Sequence, residues 1–296
     1  MIKFVNAKIN IGLNVVARRE DGYHDIETVF FPVGIESGMP QQPEPFDDIL
    51  EVNMERNRPS GCRFQLMGRR LDCDPQKNLV VKATTMFLHA YFDKKGMDDT
   101  IGLFNVILDK HLPDGAGLGG GSADASFTLM SLNEMLDEPF SQRELAVMAR
   151  KLGADCPFFL LNTPAFAEGI GEELSPVDID LKDNWLLLVK PPVSVSTKEA
   201  FAGIMPRKPD FDLRFLHYLP LDQWKGKVVN DFEATIFPLH PELAEVKESF
   251  YLRGAVYASM SGSGSALYGI FSEEDKARDA YDAFRSTYEE VWLFKL

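Results

Sequence analysis

Near its N-terminus the chain alternates. Ala7, Ile9, Ile11, Leu13 and Val15 occupy every second position, with Lys8, Asn10, Gly12 and Asn14 between them. A period of two is that of a strand with one buried and one polar face. Asp21-Gly22 then supplies a turn and Ile26 to Val33 a second strand-like run, so 1–33 reads as a hairpin. Residues 36–48, ESGMPQQPEPFDD, read as an exposed loop without a function. Further on, 103–108 (LFNVIL) is strand-like. Ala125, Leu129, Leu132 and Leu136 form a helical stripe. Leu145, Met148, Ala149 and Leu152 mark a second helix, which Gly153 would close as its C′ residue.

From 185 onward the pattern changes. A strand (Trp185–Val189) precedes a helix near 197–204, and a helix through Leu243, Val246 and Phe250 ends near Gly254. Two strands flank SGSGS (261–265), a helix covers about 273–287, and VWLFKL is a last strand. That order is that of a split βαβ sheet with helices on one face. The chain reads as α+β with two domains, 1–160 and 161–296.

Composition narrows the function classes. With 296 residues, 45% hydrophobic and 22 of them Phe, the chain can fill a large core. No apolar run approaches the ~18–20 residues that span a bilayer. MIKFVNAKINIG has no basic-then-apolar targeting pattern, so a soluble cytoplasmic protein is expected. The net charge of −14 argues against a nucleic-acid surface, and no membrane or protein partner is implied. A phosphate ligand remains open, because a site can be locally positive on an acidic protein. Cys62, Cys73 and Cys156 contain no CxxC pair and read as reduced thiols, with neither a disulfide framework nor a zinc site.

The chemistry concentrates in 113–126, PDGAGLGGGSADAS, with five glycines among positions 115–121 ahead of a helix. A Walker A loop would carry Lys after its last glycine, whereas Ser122 and Ala123 stand there. Gly115, Gly117 and Gly120 match the dinucleotide fingerprint, but Asp137-Glu138-Pro139 and another helix replace the next strand of a Rossmann unit. A loop wrapped around phosphates accounts best for the glycines, its backbone N–H groups and helix N-terminus aimed at an anion. Ser122 would either cap that helix or reach a metal-bound phosphate.

This segment resembles the second motif of the GHMP kinases. NAKINIGLNV resembles their first motif and MSGSGSALYGIF (260–271) their third glycine-rich loop. Within that superfamily, AKINIGLNVVARREDGYHDIETVF (7–30), NLVVKA (78–83) and GADCPFFL (153–160) are similar to one branch. Its members phosphorylate a cytidyl diphosphate polyol in the non-mevalonate route to isoprenoid precursors. The chain departs from that branch in a longer 36–46 segment and in Ala116, where some members have Gly.

The resemblance implies an α+β, two-domain GHMP kinase architecture, with an N-terminal ribosomal-protein-S5-like domain and a C-terminal ferredoxin-like split βαβ domain. It implies an ATP-dependent kinase that uses Mg²⁺. Lys8 and Asp155 match the catalytic pair, Asp155 taking the hydroxyl proton and Lys8 polarising the site. By residue type alone, Lys8 could equally be a solvated lysine and Asp155 a helix N-cap before Pro157. Pro113, Asp114, Gly115, Ala116, Gly117, Leu118, Gly119, Gly120, Gly121, Ser122 and Ala123 would hold the triphosphate, and Lys110 and Asn78 would lie near the adenine. Ser122 is the implied Mg²⁺ contact. Tyr23 and Phe201 would sandwich the cytosine, with His24 reading its edge, and Asn10 and Thr197 would be substrate-side polar groups. Met260–Ser265 reads as a plain β-turn or as a loop closing the site. Other acceptors of the mevalonate or homoserine type, or a non-catalytic nucleotide-binding protein, are the alternatives.

Overall fold

A computed structural model describes residues 1–34, 45–56, 58–71, 74–96 and 101–296. Most of the 36–48 segment, and Cys73, lie outside the described residues. In chain order the elements begin with β1 (Ile2–Val5), β2 (Ala7–Arg18), β3 (His24–Val33), β4 (Asp48–Glu55) and β5 (Gly61–Gly68). There follow α1 (Leu79–Lys95), β6 (Leu103–Lys110), α2 (Gly120–Met135), α3 (Gln142–Leu152) and α4 (Cys156–Leu161). Next come β7 (Ala165–Glu168), β8 (Glu173–Pro176), β9 (Trp185–Lys190), α5 (Thr197–Phe201) and α6 (Glu233–Ile236). The chain closes with α7 (Pro241–Leu252), β10 (Tyr257–Met260), β11 (Leu267–Phe271), α8 (Glu274–Arg285) and β12 (Glu290–Lys295).

These elements form two compact units that interleave along the chain. The first comprises Met1–Ala7, Pro45–Asp114 and Gly119–Asn162, and the second Lys8–Glu44, Gly115–Leu118 and Thr163–Leu296. The last crossing lies between Asn162 and Thr163. The segments 8–44 and 115–118 do not follow a single cut.

In the first unit the sheet order is β1-β4-β6-β5, with β5 parallel to β6 and the other pairs antiparallel. Phe104, Val106 and Leu108 point inward from β6 at the period of two, and Lys110 takes the next inward position. Helix α1 buries Val80, Ala83, Thr84, Phe87 and Leu88, a spacing of one helical face. The Asn78 side chain caps it by accepting from the Val80 N–H at 2.9 Å. Helix α2 buries Ala125, Leu129 and Leu132 as the stripe requires.

Two expectations need correction here. Gly153 does end α3, but at φ 175°, which is extended backbone rather than a left-handed cap. A Cβ there would lie 3.4 Å from the Cys156 sulfur, so glycine serves space at that turn and not handedness. The described end of 36–48 is not an exposed loop either, since Phe46, Asp47 and Asp48 are all buried and Asp48 opens β4.

In the second unit β2-β3-β7-β8 form one sheet and β10-β11-β9-β12 the other. The latter is antiparallel throughout, with α7 and α8 packed on it, which is the ferredoxin-like order. Trp185, Leu187 and Val189 join one core with residues of α7 and α8, while Leu186 and Leu188 are buried on the opposite face. Burial on both faces explains why β9 is a continuous apolar run instead of an alternating one. The hairpin of β2 and β3 also differs from its expected form, for the supposedly solvated face is buried: Lys8 is 3% exposed, Asn10 2% and Asn14 4%.

Candidate active site

The glycine segment leaves the first unit at Asp114 and returns to it at Gly119. Helix α2 starts within the glycine run. Its N-cap is Gly119, at φ 72°, and no side chain caps it. Ser122 therefore lies within the first turn and is not its cap. The N–H groups that open any α-helix lack intrahelical partners, and they carry the positive end of its dipole. Without a side-chain cap, the amides opening α2 suit an anion.

Beneath this helix start the first unit holds a buried ionic cluster. The Lys110 ammonium donates to Asp48 Oδ2 at 2.5 Å and to Asp124 Oδ2 at 2.7 Å. Asp48 Oδ1 accepts the N–H groups of His111 at 2.5 Å and Leu112 at 2.7 Å, just ahead of Pro113. Burial alone would lower Lys110, but Asp124 and Asp48 reverse this and hold it above its ordinary value. Burial, with Asp48 adding to it against the pull of Lys110, pushes the Asp124 carboxyl up to about 8. Asp124 Oδ1 is buried without a hydrogen-bond partner. Lys110, expected near the adenine, is thus enclosed by carboxylates on the protein side of the loop. Asn78, expected there too, is 8% exposed with its oxygen on the α1 cap.

Asp155 stands at the N-cap position of α4, with Pro157 in the first turn, as its capping reading supposes. Its side chain makes no capping hydrogen bond. The residue is half-buried. Next to it, burial pushes the Cys156 thiol up to about 11, against the opposing hydrogen bond of Ser122. That thiol is therefore not a nucleophile at neutral pH. The Ser122 hydroxyl lies beside the same turn, 3.7 Å from where a Gly153 Cβ would stand.

The second unit supplies the other cluster. Lys8 Nζ donates to Asn10 Oδ1 at 2.6 Å and to the Gly117 carbonyl at 3.0 Å, and lies 4.9 Å from the Phe30 ring centre. Asn10 Nδ2 donates to Thr28 Oγ1 at 3.0 Å, which in turn donates to the Gly12 carbonyl. The Asn10 amide thus orients Lys8 from within the protein. Ser261 Oγ donates to the Gly117 carbonyl at 2.9 Å and accepts from the Asn10 N–H at 3.2 Å. Met260–Ser265 is a turn, closed by Gly264 N–H to the Ser261 carbonyl, and its Ser261 touches the glycine segment at Gly117. Gly117 must be glycine on two counts, since φ is +78° and a Cβ would fall 1.9 Å from the Ser261 carbonyl oxygen. Ala116 is buried outside the left-handed region, as expected, its carbonyl accepting from the Ala266 N–H.

The supposed cytosine residues are arranged differently from the expectation. The His24 ring stacks on Phe201, with centroids 4.7 Å apart and planes at 17°, and Phe232 meets Phe201 edge-on at 4.8 Å. Tyr23 is 61% exposed after the turn, and Thr197 is exposed at the first position of α5. Sequence reasoning missed Asp48 and Asp124 altogether. It also missed Asn230, whose side chain reaches the 260–262 backbone.

The first unit thus carries an uncapped helix start inside a glycine run, and the second a buried lysine hydrogen-bonded to Gly117. The family descriptions "GHMP kinases N terminal domain" and "GHMP kinases C terminal" match residues 78–163 and 217–290. The 4-diphosphocytidyl-2-C-methyl-D-erythritol kinase of Bacteroides fragilis is 45% identical over 93% of this chain and 94% of its own. That of Porphyromonas gingivalis is 43% identical over 96% and 98%. A crystal structure of 4-(cytidine 5'-diphospho)-2C-methyl-D-erythritol kinase superposes with a TM-score of 0.76 at 31% identity, covering 99% of this chain and 98% of that one. The homoserine kinase of Cytophaga hutchinsonii, at 18% identity and a TM-score of 0.64 over 99% and 95% of the two chains, shares the fold. The chain belongs to the GHMP kinases, in the branch of the 4-diphosphocytidyl-2-C-methyl-D-erythritol kinases.

Proposed function

We propose that this protein transfers the γ-phosphoryl group of ATP to the 2-hydroxyl of 4-diphosphocytidyl-2-C-methyl-D-erythritol, giving the 2-phosphate and ADP. The reading implies the cytoplasm as its compartment. The observation that carries the chemistry is the Lys8 ammonium held on the Gly117 carbonyl, two residues along the chain from the uncapped start of α2. In this reading the amides opening α2 bind the triphosphate oxygens. Lys8, oriented by Asn10 and Gly117, stabilises charge on the transferring group. Asp155, whose carboxylate does not cap α4, accepts the proton of the attacking hydroxyl.

For Mg²⁺ the fit is that of an ion carried by the nucleotide. Among the described residues no group of three His, Cys, Asp or Glu is placed to hold a metal by itself. The Ser122 hydroxyl beside the Gly153–Cys156 turn suits one protein oxygen on an ion otherwise bound by phosphates and water. Such an ion, when bound, neutralises phosphate charge. His24 and Phe201 are the groups we assign to the cytosine, with Tyr23 at the rim.

The test is ADP release with a panel of acceptors: the diphosphocytidyl methylerythritol, mevalonate, homoserine and galactose. Turnover is expected with the cytidyl compound alone. Asp155→Asn should lower kcat by roughly 10²–10⁴-fold while nucleotide still binds. Turnover with another acceptor removes the cytosine assignment, and full activity in the variant removes the base.

A further inference from the structure

One turn outside all three glycine motifs touches both halves of the Lys8 cluster. The backbone of 229–231 runs beside β2: Leu13 N–H donates to the Val229 carbonyl at 2.8 Å and Asp231 N–H to the Leu13 carbonyl at 2.8 Å. Asp231 Oδ2 also accepts from the Val15 N–H at 2.8 Å. From the same turn the Asn230 side chain donates both its hydrogens, to the Met260 and Gly262 carbonyls, each at 2.8 Å. Its oxygen accepts from the Phe232 N–H at 3.0 Å, so all three of these Asn230 hydrogen bonds fix backbone. Glu233 Oε1 takes the Met260 N–H at 2.9 Å, and its other oxygen takes Lys247.

The strand that carries Lys8 and the loop that carries Ser261 are therefore held from one short segment, the strand by Val229 and Asp231 and the loop by Asn230 and Glu233. Ser261 completes the connection by binding Asn10 N–H and the Gly117 carbonyl, the oxygen that also receives Lys8. Asn230 is 3% exposed and Ser261 fully buried, so water cannot replace these bonds without disturbing the packing.

We infer that the turn Asn230–Glu233 is a positioning element of the phosphoryl-transfer reaction, with Asn230 setting the place of Lys8 and the Gly117 carbonyl through the Met260–Gly262 backbone and Ser261. The inference rests on the kinase reading above. Asn230 touches no reacting atom, so it acts through Lys8. Its loss displaces the lysine without removing it, which lowers kcat and leaves binding nearly intact.

The experiment is a double-mutant cycle on the full chain, with ATP and the cytidyl acceptor. Asn230→Ala and Ser261→Ala are each expected to lower kcat about 10–100-fold, with both KM values within about 3-fold of wild type. Because the two residues lie on one path, the double variant should turn over no more slowly than the worse single one, while losses in melting temperature add. If Asn230→Ala does not fold, Asn230→Gln, which keeps the amide one methylene further out, takes its place. Wild-type kcat in the Asn230 variant, or kcat losses that multiply, overturns the positioning role. An inactive parent chain is a different outcome, for it removes the kinase reading and the inference with it.

Discussion

Two buried lysines, 3% and 1% exposed, stand one in each unit, and the hydrogen bonds described for them differ in kind. Lys110 sits between two carboxylates, Asp48 and Asp124, in a cluster that ties the strand before the loop to the helix after it. Lys8 donates to two neutral oxygens, those of Asn10 and Gly117. A cation enclosed by carboxylates is suited to holding backbone in place. A cation aimed by amide oxygens is suited to meeting charge that develops during a reaction. By sequence both residues are strand lysines near a phosphate loop, and only their partners separate them.

One substitution made twice tests that difference. Lys110→Met should lower unfolding free energy by about 3–5 kcal/mol, because it leaves two buried carboxylates without their cation. Denaturant titration measures it. Lys8→Met should instead lower kcat by about 10²–10³-fold and shift the denaturation midpoint less than the Lys110 variant does. If Lys8→Met is the less stable of the two, or Lys110→Met folds normally and loses only nucleotide affinity, the roles are reversed.

How much of this could be read in advance follows from what each pattern encodes. Alternation in 7–15, the 125/129/132 stripe and the order of elements after 185 are local, and they lead to β2, α2 and the ferredoxin-like sheet. Helix α1 was equally legible, with Asn78 as its cap and 80/83/84/87/88 as its face, but that stretch served only as a motif match. Asp48 was misjudged for a physical reason: an acid after Pro-rich sequence suggests solvent, and only the fold brings it to Lys110 across 62 residues. The burial of Lys8 was hidden likewise, since period two separates the faces of a strand without saying whether the polar one is covered. Asn230 carries no motif at all. Its partners lie 30 and 32 residues away, and nothing in Val-Val-Asn-Asp-Phe announces a pair of carbonyls.

The smallest expected effect is the most specific to the Lys110 cluster. Three charged groups meet there, and two carboxylates with one ammonium would leave a buried net negative charge if both were ionised. A shared proton removes it, and Asp124, which burial and the neighbouring Asp48 push up to about 8, is the group that keeps that proton. The folded carboxyl keeps its proton up to about 8, whereas an ordinary aspartate releases it near 3.8. Between those values the folded chain binds the extra proton, so this contribution is fully present below the lower value and is lost as pH rises through the upper one. Asparagine at 124 mimics the protonated acid, with an oxygen for Lys110 and an N–H for Asp48, and cannot ionise. In denaturant titrations, Asp124→Asn should therefore gain stability relative to wild type steadily as pH rises from about 5 to about 8. The variant losing ground over that range would falsify the shared proton, because it would mean that an ionised Asp124 is what Lys110 requires.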